Sequence, residues 1–261
     1  LVLTTMLRAQ ETFPVNGVAD KRDGCYAFTN ATIVKDAQNT IANGSLVIRD
    51  GKIIAVGTNV SIPKDAVVID CKDKFIYPSF IDIYSDYGMP QVQRPTGGGF
   101  GGPAQLTSNQ KGAYGWNQAI KTDVNAYKLF SVDDAKAKTL REAGFGTVLT
   151  HQRDGIARGT GTVVTLASEK ENFVIVKDKA SAHYSFSKGS STQTYPSSLM
   201  GSIALLRQTY NDAAWYKNNP EAANKEGYNI TLKYFNDQQT LPQIFEAQDR
   251  GVDLWNVMRA D

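Results

Sequence analysis

Histidine and cysteine are nearly absent from this sequence: 261 residues hold His151, His183, Cys25 and Cys71 and no others of either kind. No C-x-x-C pair occurs, which excludes zinc sites of the cysteine type. Cys25 and Cys71 allow at most one disulfide, a pairing that export would permit; two buried thiols is the equal alternative. Long apolar runs are missing too. After the N-terminus no stretch reaches the ~18 residues that a membrane-crossing helix needs. Charge of one sign is also missing: the formal net charge is +2 and no basic block stands out. That leaves no electrostatic case for a nucleic-acid partner or an anionic membrane surface.

What is present is a globular composition, 41% hydrophobic and 21% charged, long enough for one large domain or two smaller ones. The opening "LVLTTMLRAQ" reads as the end of a signal-peptide core with the small Ala9 before Gln10. Its alternative is an apolar strand or tag. As a signal remnant, within a leader over 1–23, it implies export to the periplasm or beyond.

Residues 24–75 read as a small β domain. "CYAFTNATIV" is rich in aromatic and β-branched residues, which suit a strand. "SLVIRDGKIIAVG" is two strands joined by Asp50-Gly51, the dipeptide that a type I′ hairpin turn prefers. "AVVIDCKDKFIYP" adds one or two more strands. From about residue 76 strand-like runs alternate with helical patterns, the grammar of βα units and a parallel sheet. "KFIYPSFIDIYS" and "FGTVLTHQ" are strands. "SVDDAKAKTLREAG" is a helix opened by Ser131 and Asp134 and stopped by Gly144. "YPSSLMGSIALLRQTYNDAAWYK" is a long helix with Leu199, Ile203, Leu206, Tyr210 and Ala213 on one face. "TLPQIFEAQ" is a late strand. A long insertion at about 89–130 carries "RPTGGGFGGP", too glycine-rich for a helix or strand interior. Tyr114 and Trp116 follow it, either lining a pocket or anchoring the loop.

Asp82, Tyr84 and Asp86 in "FIDIYSDYG" are spaced by two, so they project from one strand face. This stretch, with "NATIVKDAQNTIANGSLVIRDGKIIAVG" before it, "LREAGFGTVLTHQRDGIARGTGTVVTLA" after it and "LPQIFEAQDRGVDLWNVMRAD" at the end, resembles the amidohydrolase superfamily in its imidazolonepropionase-like branch. The resemblance implies an α/β chain: a small β-sandwich over 24–75, then part of a (β/α)₈ TIM-type barrel over 76–261. It implies a site at the C-terminal strand ends. It also implies hydrolysis of carbon–nitrogen bonds in a small-molecule substrate, with divalent metal, often zinc, activating water.

The family's H-x-H falls on Tyr84 and Asp86, and its later H-A-H on Glu246, Ala247 and Gln248. The resemblance thus implies a segment whose metal-binding histidines are replaced. Asp86, Glu246 and His151 are the remaining candidate ligands, for an oxygen-rich site of the Mg²⁺, Ca²⁺ or Mn²⁺ kind. The alternative is that the carboxylates are hydrogen-bonded near the mouth and His151 packs, leaving no metal in this segment. "DGIARGTGTVVTL" reads as a glycine-rich turn after the second barrel strand. Arg153 and Arg158 beside it, with Trp116, are candidates for substrate binding. The arginines' alternative is an ion pair to Asp154 or a surface carboxylate.

A complete barrel takes ~250 residues by itself, so about four of its strands fit here. Two functions stay open. One is a portion of a metal-dependent hydrolase; the other is a non-catalytic scaffold or binding module beside an active barrel. Either implies a partner in the rest of the same polypeptide or in a second copy.

Overall fold

The computed structural model describes residues 24–93, 108, 117–219, 221 and 229–246. The leader, the glycine-rich run, Tyr114, Trp116, Gln248 and the last segment of the chain lie outside the described residues. Two compact units divide the chain, Leu1–Pro78 and Ser79–Asp261.

In the first unit, β1 (Cys25–Val34), β2 (Thr40–Arg49), β3 (Lys52–Gly57) and β4 (Val67–Asp70) lie in the order β3-β2-β1-β4, and β5 (Phe75–Ile76) also pairs with β1. The hairpin at Asp50-Gly51 forms as its sequence demands: φ is +52° and +71°, the two positive values of a type I′ turn. Ala27, Ala31 and Ile33 of β1 are buried with Leu46 and Val47 of β2. Among the described residues this unit is one sheet, so the second layer of a sandwich is not seen. Cys25 and Cys71 are both free and buried.

The second unit holds β6 (Phe80–Ser85), α1 (Ala126–Leu129), α2 (Asp134–Glu142), β7 (Phe145–Thr150), β8 (Ala157–Thr165), α3 (Glu171–Val174), β9 (Ile175–Tyr184), α4 (Leu199–Asn218), α5 (Asn229–Gln238) and β10 (Gln243–Phe245). The sheet runs β10-β9-β8-β7-β6 and curls into a half-barrel. β6 is parallel to β7 and β10 is parallel to β9. β8, however, is antiparallel to both its neighbours, with Val148 opposite Val164 and Gly161 opposite Ser181. This corrects the expectation of a turn over "DGIARGTGTVVTL" and of a wholly parallel sheet. Its Val163, Val164 and alternating threonines have the side chains a buried strand wants. The glycines are at its start, where residues 119–124 run alongside. Gly159 has φ +81°, and a Cβ there would lie 2.0 Å from the Val124 carbonyl oxygen.

α2 is capped by Asp133, whose side chain accepts from the Lys136 N–H, and not by Ser131 as the S-x-x-D pattern suggests. α4 buries Ser202, Leu205, Leu206, Thr209 and Ala213, so its inward face is rotated from the expected one and includes two hydroxyls. The Ser202 hydroxyl donates to the Phe186 carbonyl, and that of Thr209 to the Leu205 carbonyl, which permits their burial. One core cluster joins Leu205, Leu206, Leu232 and Phe235 to Ile156 and Tyr184. A second joins Val148 and Val164 to Tyr87, Phe130 and Leu166. Among the described residues no helix is long and apolar enough to cross a membrane.

Candidate functional site

Parallel strands deliver their C-terminal ends to one side of a sheet. Here β6 brings Tyr84 and Asp86, β7 brings His151 and Arg153, β9 brings His183 and Ser185, and β10 brings Glu246. β8, reversed, brings Arg158 from its N-terminal end to the same place. Six of the candidates read from the sequence therefore gather. Trp116 and Gln248 lie outside the described residues.

Arg158 is the centre. It is 2% exposed. Its Nη1 donates to the Tyr84 hydroxyl at 2.8 Å, its Nη2 to Glu246 Oε2 at 2.7 Å and its Nε to the Gly155 carbonyl at 3.1 Å. Ser185 Oγ donates to the same Glu246 oxygen at 2.8 Å. Burial alone would raise the Glu246 pKa; the bond from Ser185 and the charge of Arg158 outweigh it and hold the carboxyl below its ordinary range. Burial pushes the Tyr84 phenol up, against the pull of Arg158, so it stays neutral. Of the alternatives that the sequence left open for the two arginines, neither takes the ion pair to Asp154: Arg158 pairs with Glu246, and Arg153 lies near Asp86. Asp154 pairs with Lys121 and accepts from Ser190 instead.

Arg153 lies over the Tyr84 ring, 4.6 Å from its centroid, and its Nη2 donates to the Tyr84 carbonyl at 2.9 Å. Asp86 is half exposed and accepts from Lys136 Nζ at 3.1 Å, with Arg153 Nη1 at 3.7 Å. Burial raises its pKa, but Lys136 and Arg153 prevail and lower it.

Beneath Tyr84 the chain's two histidines stack, ring centroids 3.7 Å apart and planes 10° from parallel. Both are buried. Desolvation, helped by the nearby positive charges, depresses His151 to about 2 and His183 to about 3, so both rings are neutral. His183 Nε2 meets Ser181 Oγ at 2.8 Å, whereas both nitrogens of His151 and Nδ1 of His183 have no partner among the described residues. Sequence reasoning gave His183 and Ser185 no role. The signal was there: Ser181, His183 and Ser185 recur at a spacing of two within a run of strand.

The donor set does not fit a divalent metal. Tyr84 offers a neutral phenol already bonded to a guanidinium, and Glu246 is neutralised by that guanidinium. A second cation in the same few ångströms would be repelled by Arg158. Among the described residues no three His, Cys, Asp or Glu side chains gather closely enough to hold a metal.

No family model and no curated protein matches this chain. A solved structure of an amidohydrolase from Thermotoga maritima MSB8 is similar to it at a TM-score of 0.66 and 22% identity, over 89% of this chain and 60% of that one. This chain thus spans 60% of that protein's length. A second amidohydrolase overlaps 23% of this chain and 15% of its own at 30% identity and a TM-score of 0.22. A prolidase complexed with N-methylphosphonate-L-proline overlaps 48% of this chain and 25% of its own at 16% identity and a TM-score of 0.25. The last two overlaps are too small to bear on the fold. The first is not: over most of its length this chain has the fold of an amidohydrolase.

Proposed function

We propose that this chain is a portion of an amidohydrolase-superfamily protein, and that its half-barrel supplies scaffold and binding groups instead of the catalytic metal's ligands. The observation that carries this reading is the Arg158 guanidinium, 2% exposed and bonded to Tyr84 and Glu246. These two residues occupy positions where the family motif has histidines. A buried cation there does permanently what a bound ion would do to the local field: it keeps Glu246 ionised and polarises the Tyr84 hydroxyl.

The residues of this chain then have roles that need no metal. Arg158, Ser185 and Tyr84 fix Glu246; Arg153 and Lys136 fix Asp86. His151 and His183 stay neutral and form the floor. Hydrolysis of a carbon–nitrogen bond, and the zinc that family membership brings with it, fall on this reading to other residues of the whole protein. The signal-peptide remnant and leader over 1–23, and the export they imply, are part of the same proposal.

Elemental analysis tests it, on the full-length protein and on this chain side by side. Metal in the full-length protein and none in this chain is the expected result. Stoichiometric metal in this chain would overturn the reading, and single Asp86→Ala, Glu246→Ala and His151→Ala variants would then locate it. No metal in either would make the protein a scaffold throughout.

A further inference from the structure

Glu246 is held from two sides, and both holds lead back to one corner of the chain. Arg158 Nε donates to the Gly155 carbonyl at 3.1 Å. The Ser185 N–H donates to the Ile156 carbonyl at 2.9 Å. The corner between β7 and β8, residues 154–156, thus touches both residues that bond the Glu246 carboxylate.

One side chain anchors this corner. Asp154 is buried. Its Oδ2 accepts from Lys121 Nζ and, at 2.7 Å, from the Ser190 hydroxyl; its Oδ1 accepts from the Ser190 N–H at 2.6 Å. Lys121 Nζ also donates to Ser190 Oγ at 2.8 Å, so the three side chains close a ring. The approach is close: Gly189 has φ +64°, and a Cβ on it would strike the Asp154 carboxylate. The bonds from Lys121 and Ser190 outweigh burial and keep Asp154 ionised. Loss of one member would leave a poorly solvated charge without its partner, so the ring resists opening.

Through Ser190 the ring also fixes the segment that follows Ser185. The Ser187 N–H donates to Ser185 Oγ at 3.0 Å, while the Ser185 hydroxyl donates its own proton to Glu246. Lys121 belongs to the return of the long insertion, and its N–H donates to the Ala157 carbonyl at the start of β8.

We propose that Asp154 is a positioning residue for the site: held by Lys121 and Ser190, it fixes the corner and the segment from which Arg158 and Ser185 are aimed at Glu246, and it couples the return of the insertion to that carboxylate. The inference rests on the reading that Arg158, and not a metal, holds Glu246.

The test follows the Glu246 carboxyl by carbon-13 NMR through a pH titration of the full chain in EDTA, with Glu246→Gln to assign the signal. Two variants disturb the ring: Asp154→Asn, which keeps the shape and loses the charge, and Ser190→Ala, which loses a hydroxyl and no charge. Ser185→Ala removes a donor from Glu246 directly and sets the scale. If Asp154 acted through its field alone, removing its negative charge would lower the Glu246 pKa. If it positions Arg158 and Ser185, the same change loosens their bonds and raises it. The expected result is a rise in both ring variants, in the direction of Ser185→Ala and smaller, with circular dichroism unchanged. A Glu246 pKa that is unmoved or lowered in either folded variant, even with a loss of stability in urea, would overturn the proposal and leave the arginine reading standing. Should Asp154→Asn not fold, Ser190→Ala decides alone. A parent whose Glu246 titrates in the ordinary carboxylate range in EDTA, and falls below it only on addition of zinc, would overturn the arginine reading itself.

Discussion

The stacked histidine pair makes stability depend on pH in the mildly acid range. Both imidazoles are neutral in the folded protein, with pKa values of about 2 and about 3. In the unfolded chain both return to the ordinary value of 6.5. Below that value the unfolded state takes up protons that the folded state refuses, so stability is complete above pH 6.5 and falls as the pH drops. At pH 5 each histidine costs about 2 kcal/mol, and the pair about 4 kcal/mol, at about 1.4 kcal/mol per pH unit per group. That is a large part of the roughly 5–15 kcal/mol by which a domain is stable. The chain has two histidines in all, so no other imidazole contributes. Asp86, Asp154 and Glu246, whose pKa values are lowered, lose their stabilisation only further into acid. Asp123 and Asp212, raised by burial, act in the opposite sense and only soften the slope. Urea unfolding at pH 7.5, 6.5, 5.5 and 5.0 measures this. Tryptophan fluorescence is the right probe, because Trp116, Trp215 and Trp255 all belong to the second unit. A His151→Asn variant is expected to show about half the parent's slope between pH 6.5 and 5. A parent whose stability is flat across that interval would refute the buried neutral pair.

Arg158→Met leaves Glu246 beside an apolar side chain and removes a donor from Tyr84; urea melts at pH 7.5 should show a loss of about 2–4 kcal/mol, less than a fully buried pair would because Glu246 is partly exposed. Gly51 and Gly159 both have positive φ, but a Cβ on Gly51 meets nothing within 4 Å whereas one on Gly159 strikes the Val124 carbonyl. Gly51→Ala should therefore cost about 1 kcal/mol, and Gly159→Ala clearly more than about 2 kcal/mol, compared by the same melts. Cys25 and Cys71 should both react with a thiol reagent in urea and neither in the native state; failure to react in urea without reductant would reveal a disulfide.

The local elements were the legible part of the sequence. A strand of alternating Ala27, Ala31 and Ile33, a hairpin at Asp50-Gly51 and a helix ending before Gly144 are written in neighbouring residues, and short-range rules suffice for them. The direction of β8 was not legible. Glycines at 155, 159 and 161 look like a turn until one knows that residues 119–124 pass close to the first two and that a Cβ on Gly161 would strike the His183 ring. The candidate site was half legible. Tyr84, Asp86 and Glu246 stood out by position in a motif, and Arg153 and Arg158 by charge. That Arg158 would choose Glu246 over its neighbour Asp154 depends on β10, 88 residues away. The spacing of Ser181, His183 and Ser185 marks one strand face, but that His183 would stack on the ring of His151 depends on a contact between strands that no spacing rule encodes.

The reversed strand also bears on how the second unit assembles. β7, β8 and β9 form an antiparallel meander, linked by six residues between Thr150 and Ala157 and by nine between Thr165 and Ile175. Such pairings close short loops, and loop closure sets the pace of folding. The parallel pairing of β6 with β7 must instead bridge Ser85 to Phe145, across the whole of the long insertion. The meander, which carries Arg158 and both histidines, is therefore expected to form first, and the strand that presents Tyr84 and Asp86 to dock on a floor already built.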